Sequence, residues 1–120
     1  EIVAQLGRLD IGQGAVVAQG LCLAVETLPG TDAMLAFVAT HGQAVRPDPQ
    51  GARGVFYKAP KPGQDRRIDL PTLGPETVRA AHDADLAGIA WEAGGAILLD
   101  RAATIAEAER AGVFLWARQP

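Results

Sequence analysis

Charged side chains are concentrated in one proline-rich segment of this 120-residue chain, residues 58–74. It contains both carboxylates and cations, among them Lys58, Lys61, Asp65, Arg66 and Asp69. A carboxylate can hold Mg²⁺ while cations neutralise phosphate oxygens, and together they stabilise the charge that develops as a P–O bond breaks. The combination predicts a site for a phosphate group and a divalent metal, with Asp69 as the candidate catalytic residue.

The same segment also has a purely structural interpretation. Pro60, Pro62 and Pro71 fix φ and remove backbone donors, so they stiffen the connection whatever its role. Asp69 could cap a turn or pair with Arg67 in a solvated loop. Spacing alone therefore leaves both catalysis and a stiff connection open.

Two further motifs are candidates for ligand binding. Gly-Thr-Asp at 30–32 begins a predicted helix, where backbone N–H groups and the Thr31 hydroxyl could hold an anion. Asp32 could bind a metal or sugar hydroxyls, or the motif could be an ordinary helix cap. Asp-Ile-Gly-Gln-Gly at 10–14 contains Gly-x-Gly, but it precedes a strand instead of following one, so it is a weak nucleotide signature.

The composition excludes several classes of protein. Apolar residues make up 48% of the chain and charged residues 21%, which is typical of one soluble globular domain. A net charge of -3 argues against general nucleic-acid binding. Cys22 is the only cysteine, so no intrachain disulfide forms, and its apolar surroundings predict a small core residue. The two histidines lack a zinc-ligand spacing, and no apolar run approaches the ~20 residues of a membrane span.

Strands and helices alternate along the predicted chain. A helix ends near residue 9, and a hairpin turns at Gly20. Later helices and strands are separated by turns and by a mobile surface loop. The predicted strands are 14–19, 21–26, 54–59, 87–91, 96–99 and 113–116, with the pair 87–91 and 96–99 joined by a Gly-Gly turn. The predicted helices are about 33–40, ended by Gly42, then 75–83 and 101–111; the loop is 46–53. This order predicts an α/β fold: a single small domain with a mixed β-sheet flanked by helices.

Six blocks of sequence resemble, in order along almost the whole chain, the C-terminal domain of the LpxI family. They are Gly-Arg-Leu-Asp-Ile-Gly-Gln at 7–13, Ala-Val-Glu at 24–26, Gly-Thr-Asp-Ala-Met at 30–34, Lys-Ala-Pro-Lys-Pro-Gly-Gln-Asp at 58–65, Asp-Leu-Pro-Thr at 69–72 and Ala-Gly-Ile-Ala at 87–90. Several blocks together are far more specific than any one of them. The resemblance is weakest at residues 40–53, where a variable loop is expected.

The resemblance implies a reaction and a set of site residues. LpxI-like enzymes of bacterial lipid A biosynthesis hydrolyse the pyrophosphate of UDP-2,3-diacylglucosamine with Mg²⁺, giving UMP and 2,3-diacylglucosamine 1-phosphate (lipid X). The catalytic aspartate of the family's Asp-Leu-Pro-Thr block falls on Asp69. The expected metal ligands are Asp69 and, from its chemistry, Asp32, which could instead meet the sugar. The residues expected to contact substrate are Thr31, Asp32, Lys58, Lys61, Gln64 and Thr72, with the two lysines meeting phosphate.

The resemblance also implies partners and a place of action. It predicts that residues 1–120 form the catalytic C-terminal domain of a two-domain protein, with the ligand between this domain and an N-terminal one. The expected location is the cytoplasm, and peripheral contact with the inner membrane and homo-oligomerisation stay open. The alternative functions are a non-catalytic binding module for a phosphorylated lipid or sugar, and an oligomerisation domain using the apolar strand at 113–116.

Overall fold

The computed structural model describes residues 1–63 and 70–119, which contain four helices and seven strands. The helices are α1 (Ile2–Arg8), α2 (Thr31–Val45), α3 (Pro75–Asp83) and α4 (Arg101–Ala111). The strands are β1 (Gly14–Ala18), β2 (Leu21–Val25), β3 (Val55–Lys58), β4 (Thr72–Leu73), β5 (Gly88–Glu92), β6 (Ile97–Leu98) and β7 (Phe114–Arg118). Within the described ranges, no helix has the length and apolarity that crossing a membrane would require.

Five strands form a mixed sheet in the order β2-β1-β3-β5-β7. Strand β1 is antiparallel to both β2 and β3, whereas β3, β5 and β7 run parallel to one another. The prediction of an α/β domain with a mixed sheet and flanking helices is confirmed. Because β2 consequently runs in the same direction as β3, four strands end at one edge of the sheet, which we call the carboxyl edge.

The main core lies between the sheet and helices α2, α3 and α4. Side chains alternate between the faces of a strand, so Val16, Phe56 and Ile89 point into this core, where each is fully buried. The neighbouring side chains of Ala15 and Tyr57 lie on the opposite face, next to α1. The sheet thus has three helices on one face and the short α1 on the other.

The predicted β-hairpin is confirmed. Gln19 and Gly20 connect β1 to β2, and both have positive φ, 54° and 79°. A two-residue turn of this kind needs left-handed backbone at both central positions, which glycine adopts without strain. Strand β2 pairs only with β1 in this sheet and therefore lies at its edge.

Cys22 is exposed, so its prediction as a core residue is wrong. The apolar run that contains it belongs to β2, an edge strand whose side chains are all at least partly accessible. A short apolar run does not by itself show whether its strand lies at the centre or at the edge of a sheet.

Helix α2 is longer than predicted and passes through Gly42. Gly42 is buried, and a Cβ there would lie 2.7 Å from Val38 Cγ1 and 3.8 Å from Leu23 Cδ1. The glycine therefore leaves room for the Val38 side chain on the buried face of α2 instead of ending the helix. The cost of a glycine inside a helix, about 1 kcal/mol, is small enough for such packing to override.

The predicted turn at Gly94-Gly95 lies between β5 and β6, but the two strands do not form a hairpin. Instead β6 pairs in parallel with β4, a two-residue strand that the sequence analysis missed. The backbone N–H of Ile97 donates to the carbonyl of Pro71, and that of Leu99 donates to the carbonyl of Leu73. A two-residue strand carries no detectable periodicity, and its partner is 25 residues away in the register Thr72↔Ile97.

Thr104 provides a test of the packing at the start of α4. Its side chain is fully buried, and its hydroxyl donates to the backbone carbonyl of Leu99 at 2.6 Å. We expect Thr104→Val to lower the free energy of unfolding by about 1–2 kcal/mol, because the isosteric valine cannot donate the hydrogen bond that the buried hydroxyl makes to Leu99. Urea denaturation measures the change, and Thr104→Ser, which keeps the hydroxyl, is the control. Equal losses in both variants would contradict the role of this hydrogen bond.

Candidate active site

The carboxyl edge brings together residues that are far apart in sequence. Lys58 is the last residue of β3, and Glu26 follows the last residue of β2. Strand β1 lies between them: Gly14 pairs with Lys58, and the backbone N–H of Glu26 donates to the carbonyl of Gly14 at 2.8 Å. Helix α2 begins at Thr31, only five residues after Glu26. The fold therefore converges three polar side chains at one point.

These side chains form a buried polar cluster, the Glu26–Thr31–Lys58 cluster. Lys58 Nζ donates to Thr31 Oγ1 at 3.0 Å, and Thr31 Oγ1 donates to Glu26 Oε2 at 2.5 Å. Lys58 Nζ is 4.0 Å from Glu26 Oε2, and both residues are only 8% exposed. Buried charges persist in folded proteins when they are paired and hydrogen-bonded, as they are here.

Close backbone packing surrounds this cluster. A Cβ on Gly12 would lie 2.1 Å from the carbonyl oxygen of Glu26, and a Cβ on Gly14 would lie 2.7 Å from the ring of Phe56. A larger side chain at Gly12 would clash with the backbone of Glu26, and one at Gly14 would clash with the Phe56 ring. The Gly-x-Gly motif is therefore explained by packing, without a nucleotide.

A second ion pair lies at the start of the proline-rich segment. Lys61 Nζ donates to Asp10 Oδ1 at 2.6 Å, and both side chains are accessible to solvent. The segment also packs on α1, because a Cβ on Gly7 would lie 2.7 Å from Pro62 Cδ. The hydrogen bond from Lys61, together with its positive charge, holds the pKa of Asp10 below the usual aspartate range.

Removing the lysine should reverse this pKa shift. We expect Lys61→Met to raise the pKa of Asp10 towards its ordinary value, because the carboxylate loses the hydrogen bond and the charge that favour ionisation. A depressed pKa stabilises the fold at pH values above the unfolded-state pKa, and this contribution is lost as the pH falls through the folded-state pKa. Carboxyl ¹³C NMR titration measures the pKa, with Lys61→Arg as the charge-retaining control. An unchanged pKa in Lys61→Met would show that the pair does not persist in solution.

The face of the sheet next to α1 contains an apolar groove of about 810 Å³. Its walls come from alternate residues of the sheet, from the start of α1 and from the first residues after β3. Among them are Val17, Val55, Tyr57, Trp116, Pro60 and Pro62. Burial raises the pKa of the Tyr57 hydroxyl, and the negative charge of Glu92 raises it further. The groove reaches the carboxyl edge where Glu92 and Pro60 both pack against Gly95, whose Cβ would lie 2.8 Å from each.

The structure places the predicted site residues unevenly. Thr31 and Lys58 are joined in one cluster, and Lys61 lies at the same end of the domain, paired with Asp10. Asp32 is exposed in the first turn of α2, and Thr72 is exposed in β4. Gln64 and Asp69 lie outside the described residues.

Two charged residues of this region were missed as site residues by the sequence analysis. Glu26 lies in the buried cluster, and Asp10 pairs with Lys61. A signal for Glu26 was available: a carboxylate directly after an apolar strand is placed at the carboxyl edge, where α/β proteins bind ligands. Asp10 had no comparable signal, since its pairing with Lys61 spans 51 residues.

Comparison with known proteins supports the family resemblance carried by the six sequence blocks. The sequence model of the LpxI C-terminal domain matches residues 1–116. UDP-2,3-diacylglucosamine pyrophosphatase LpxI of Caulobacter vibrioides is 50% identical over 120 residues, which are 100% of this chain and 43% of that protein. The chain thus spans less than half the length of this relative. It belongs to the LpxI family and corresponds to the family's C-terminal domain.

Proposed function

We propose that this chain is the catalytic C-terminal domain of an enzyme that hydrolyses the pyrophosphate of UDP-2,3-diacylglucosamine in lipid A biosynthesis. Support comes from the relative of that name, which is 50% identical along the whole chain. Water attacks one phosphorus atom and the bond to the bridging oxygen breaks, so the products are UMP and lipid X. The reaction takes place in the cytoplasm, and an N-terminal domain supplies the rest of the site.

The buried Lys58 ammonium is the observation that supports this function best. An ammonium group has three N–H donors, and the described residues accept one hydrogen bond from it, at Thr31. Phosphate oxygens are strong acceptors for the remaining donors, and the charge–charge attraction is large where water is excluded. Lys61 lies at the same end of the domain, so the pyrophosphate has two cations within one region. Charge that develops on the leaving phosphate is then stabilised by groups already in place.

Mg²⁺ suits the carboxylates assigned to this site. It is commonly held by one or two carboxylates together with substrate phosphates and water, and Asp69 and Asp32 are the proposed protein ligands. No three His, Cys, Asp or Glu side chains come together within residues 1–63 and 70–119, and a metal shared with substrate does not need such a group. When bound, Mg²⁺ would offset the negative charge on the phosphoryl oxygens.

The function is tested by incubating the full-length protein with UDP-2,3-diacylglucosamine and Mg²⁺. We expect UMP and lipid X to appear together, in equal amounts, which ³¹P NMR and thin-layer chromatography both detect, and we expect EDTA to stop the reaction. Binding of the substrate without turnover, and without any need for metal, would replace this proposal with the non-catalytic binding module.

A further inference from the structure

Glu26 is a buried carboxylate with both oxygens held by other elements of the fold. Oε1 accepts a hydrogen bond from the backbone N–H of Gln13 at 3.2 Å, just before β1, and Oε2 accepts one from Thr31 at the start of α2. Its own backbone N–H is bonded to Gly14. A side chain fixed at both ends in this way has a defined position, which is required of a group that orients another.

The Thr31 hydroxyl transmits this orientation to Lys58. A hydroxyl has one proton to donate, and an ionised carboxylate can only accept. The Thr31 hydroxyl therefore donates its proton to Glu26, with Oγ1 2.5 Å from Oε2. Its lone pairs are left to accept from Lys58, whose Nζ is 3.0 Å from Oγ1. The direction of both hydrogen bonds follows from the charge of Glu26.

From this chain of contacts we infer that Glu26 is a positioning residue that acts through Thr31 to orient the Lys58 ammonium towards the pyrophosphate. This role rests on the hydrolysis proposed above. The 4.0 Å separation of Lys58 Nζ from Glu26 Oε2 is compatible with it, because charge attraction holds the ammonium without taking up its donors in a direct hydrogen bond. Thr31 then works as the link between the two charges, and its hydroxyl proton is committed to Glu26.

The decisive experiment compares Thr31→Val with Thr31→Ser in the full-length protein, using UDP-2,3-diacylglucosamine as substrate. Valine removes the link but leaves both charges, so we expect kcat to fall about 10- to 100-fold with little change in KM, as for a misplaced catalytic group. Serine retains the hydroxyl and should restore most of the lost kcat. Glu26→Gln should show the same split, because a neutral amide no longer fixes the direction of the Thr31 proton.

Circular dichroism of each variant shows whether it has folded. If Glu26→Gln is unfolded, the Thr31 pair alone decides. If the wild-type protein turns over substrate but Thr31→Val matches it in kcat, or raises only KM, the positioning role is refuted while the hydrolase function stands. If the wild-type protein shows no turnover, the hydrolase function itself fails, and the positioning role fails with it.

Discussion

Replacing Asp69 with asparagine is expected to lower kcat of the full-length protein about 100- to 1,000-fold, with the fold intact. Asparagine keeps the size of the side chain but removes the charge that, in the proposed mechanism, holds Mg²⁺ and stabilises the reacting phosphate. The assignment rests on the block Asp-Leu-Pro-Thr at 69–72, which resembles the block that contains the catalytic aspartate of the LpxI family. The chain belongs to that family. Steady-state release of UMP measures the loss.

A matched control is available on the surface of the same domain. Asp83 is exposed at the end of α3, and Asp83→Asn makes the same change of charge there. We expect it to leave kcat and KM near the wild-type values, because an isolated exposed carboxylate far from a site contributes little. Near-wild-type activity in Asp69→Asn would remove Asp69 from the mechanism, whereas equal losses in both variants would indicate a general effect of charge.

Much of the fold could be predicted because local signals agree with the tertiary structure. Helix α4 has the predicted bounds, 101–111, since Gly112 takes the left-handed conformation that ends a helix at low cost. Helix α3 likewise begins at Pro75 as predicted. Pairing was less predictable. The β4–β6 pair joins two-residue segments through backbone hydrogen bonds, and such bonds leave no mark on residue types.

In the candidate site too, residue types could be interpreted from the sequence, whereas contacts between distant strands could not. Lys58 and Thr31 carry types and positions that suggested anion binding, and they do lie together. Their link to Glu26 depends on the β2-β1-β3 strand order, which brings residues 26 and 58 to one edge. The apolar groove was not foreseen either, because it is assembled from alternate residues of four strands, each unremarkable in its own segment.

Removing the buried cation should have the largest effect on stability. We expect Lys58→Met to lower the free energy of unfolding of the 120-residue chain by about 3–5 kcal/mol, since it leaves the buried Glu26 carboxylate without its counter-charge. The loss is a large fraction of the ~5–15 kcal/mol that stabilises a typical domain. Urea denaturation followed by circular dichroism measures it.

Two further variants test whether the loss of stability comes from the unpaired Glu26 carboxylate or from removal of any lysine. Lys61→Met makes the same substitution three residues further on, where the partner Asp10 is exposed, and should change stability little. The double variant Lys58→Met/Glu26→Gln should recover a substantial part of the loss, because it removes the unpaired charge along with its partner.

If Lys58→Met and Lys61→Met lower the free energy of unfolding equally, the Glu26–Thr31–Lys58 cluster is not a paired unit in solution. If only Lys58→Met is destabilised and the double variant recovers, the buried pair is established independently of any activity, and the cation proposed to meet the pyrophosphate is held by the fold before substrate arrives.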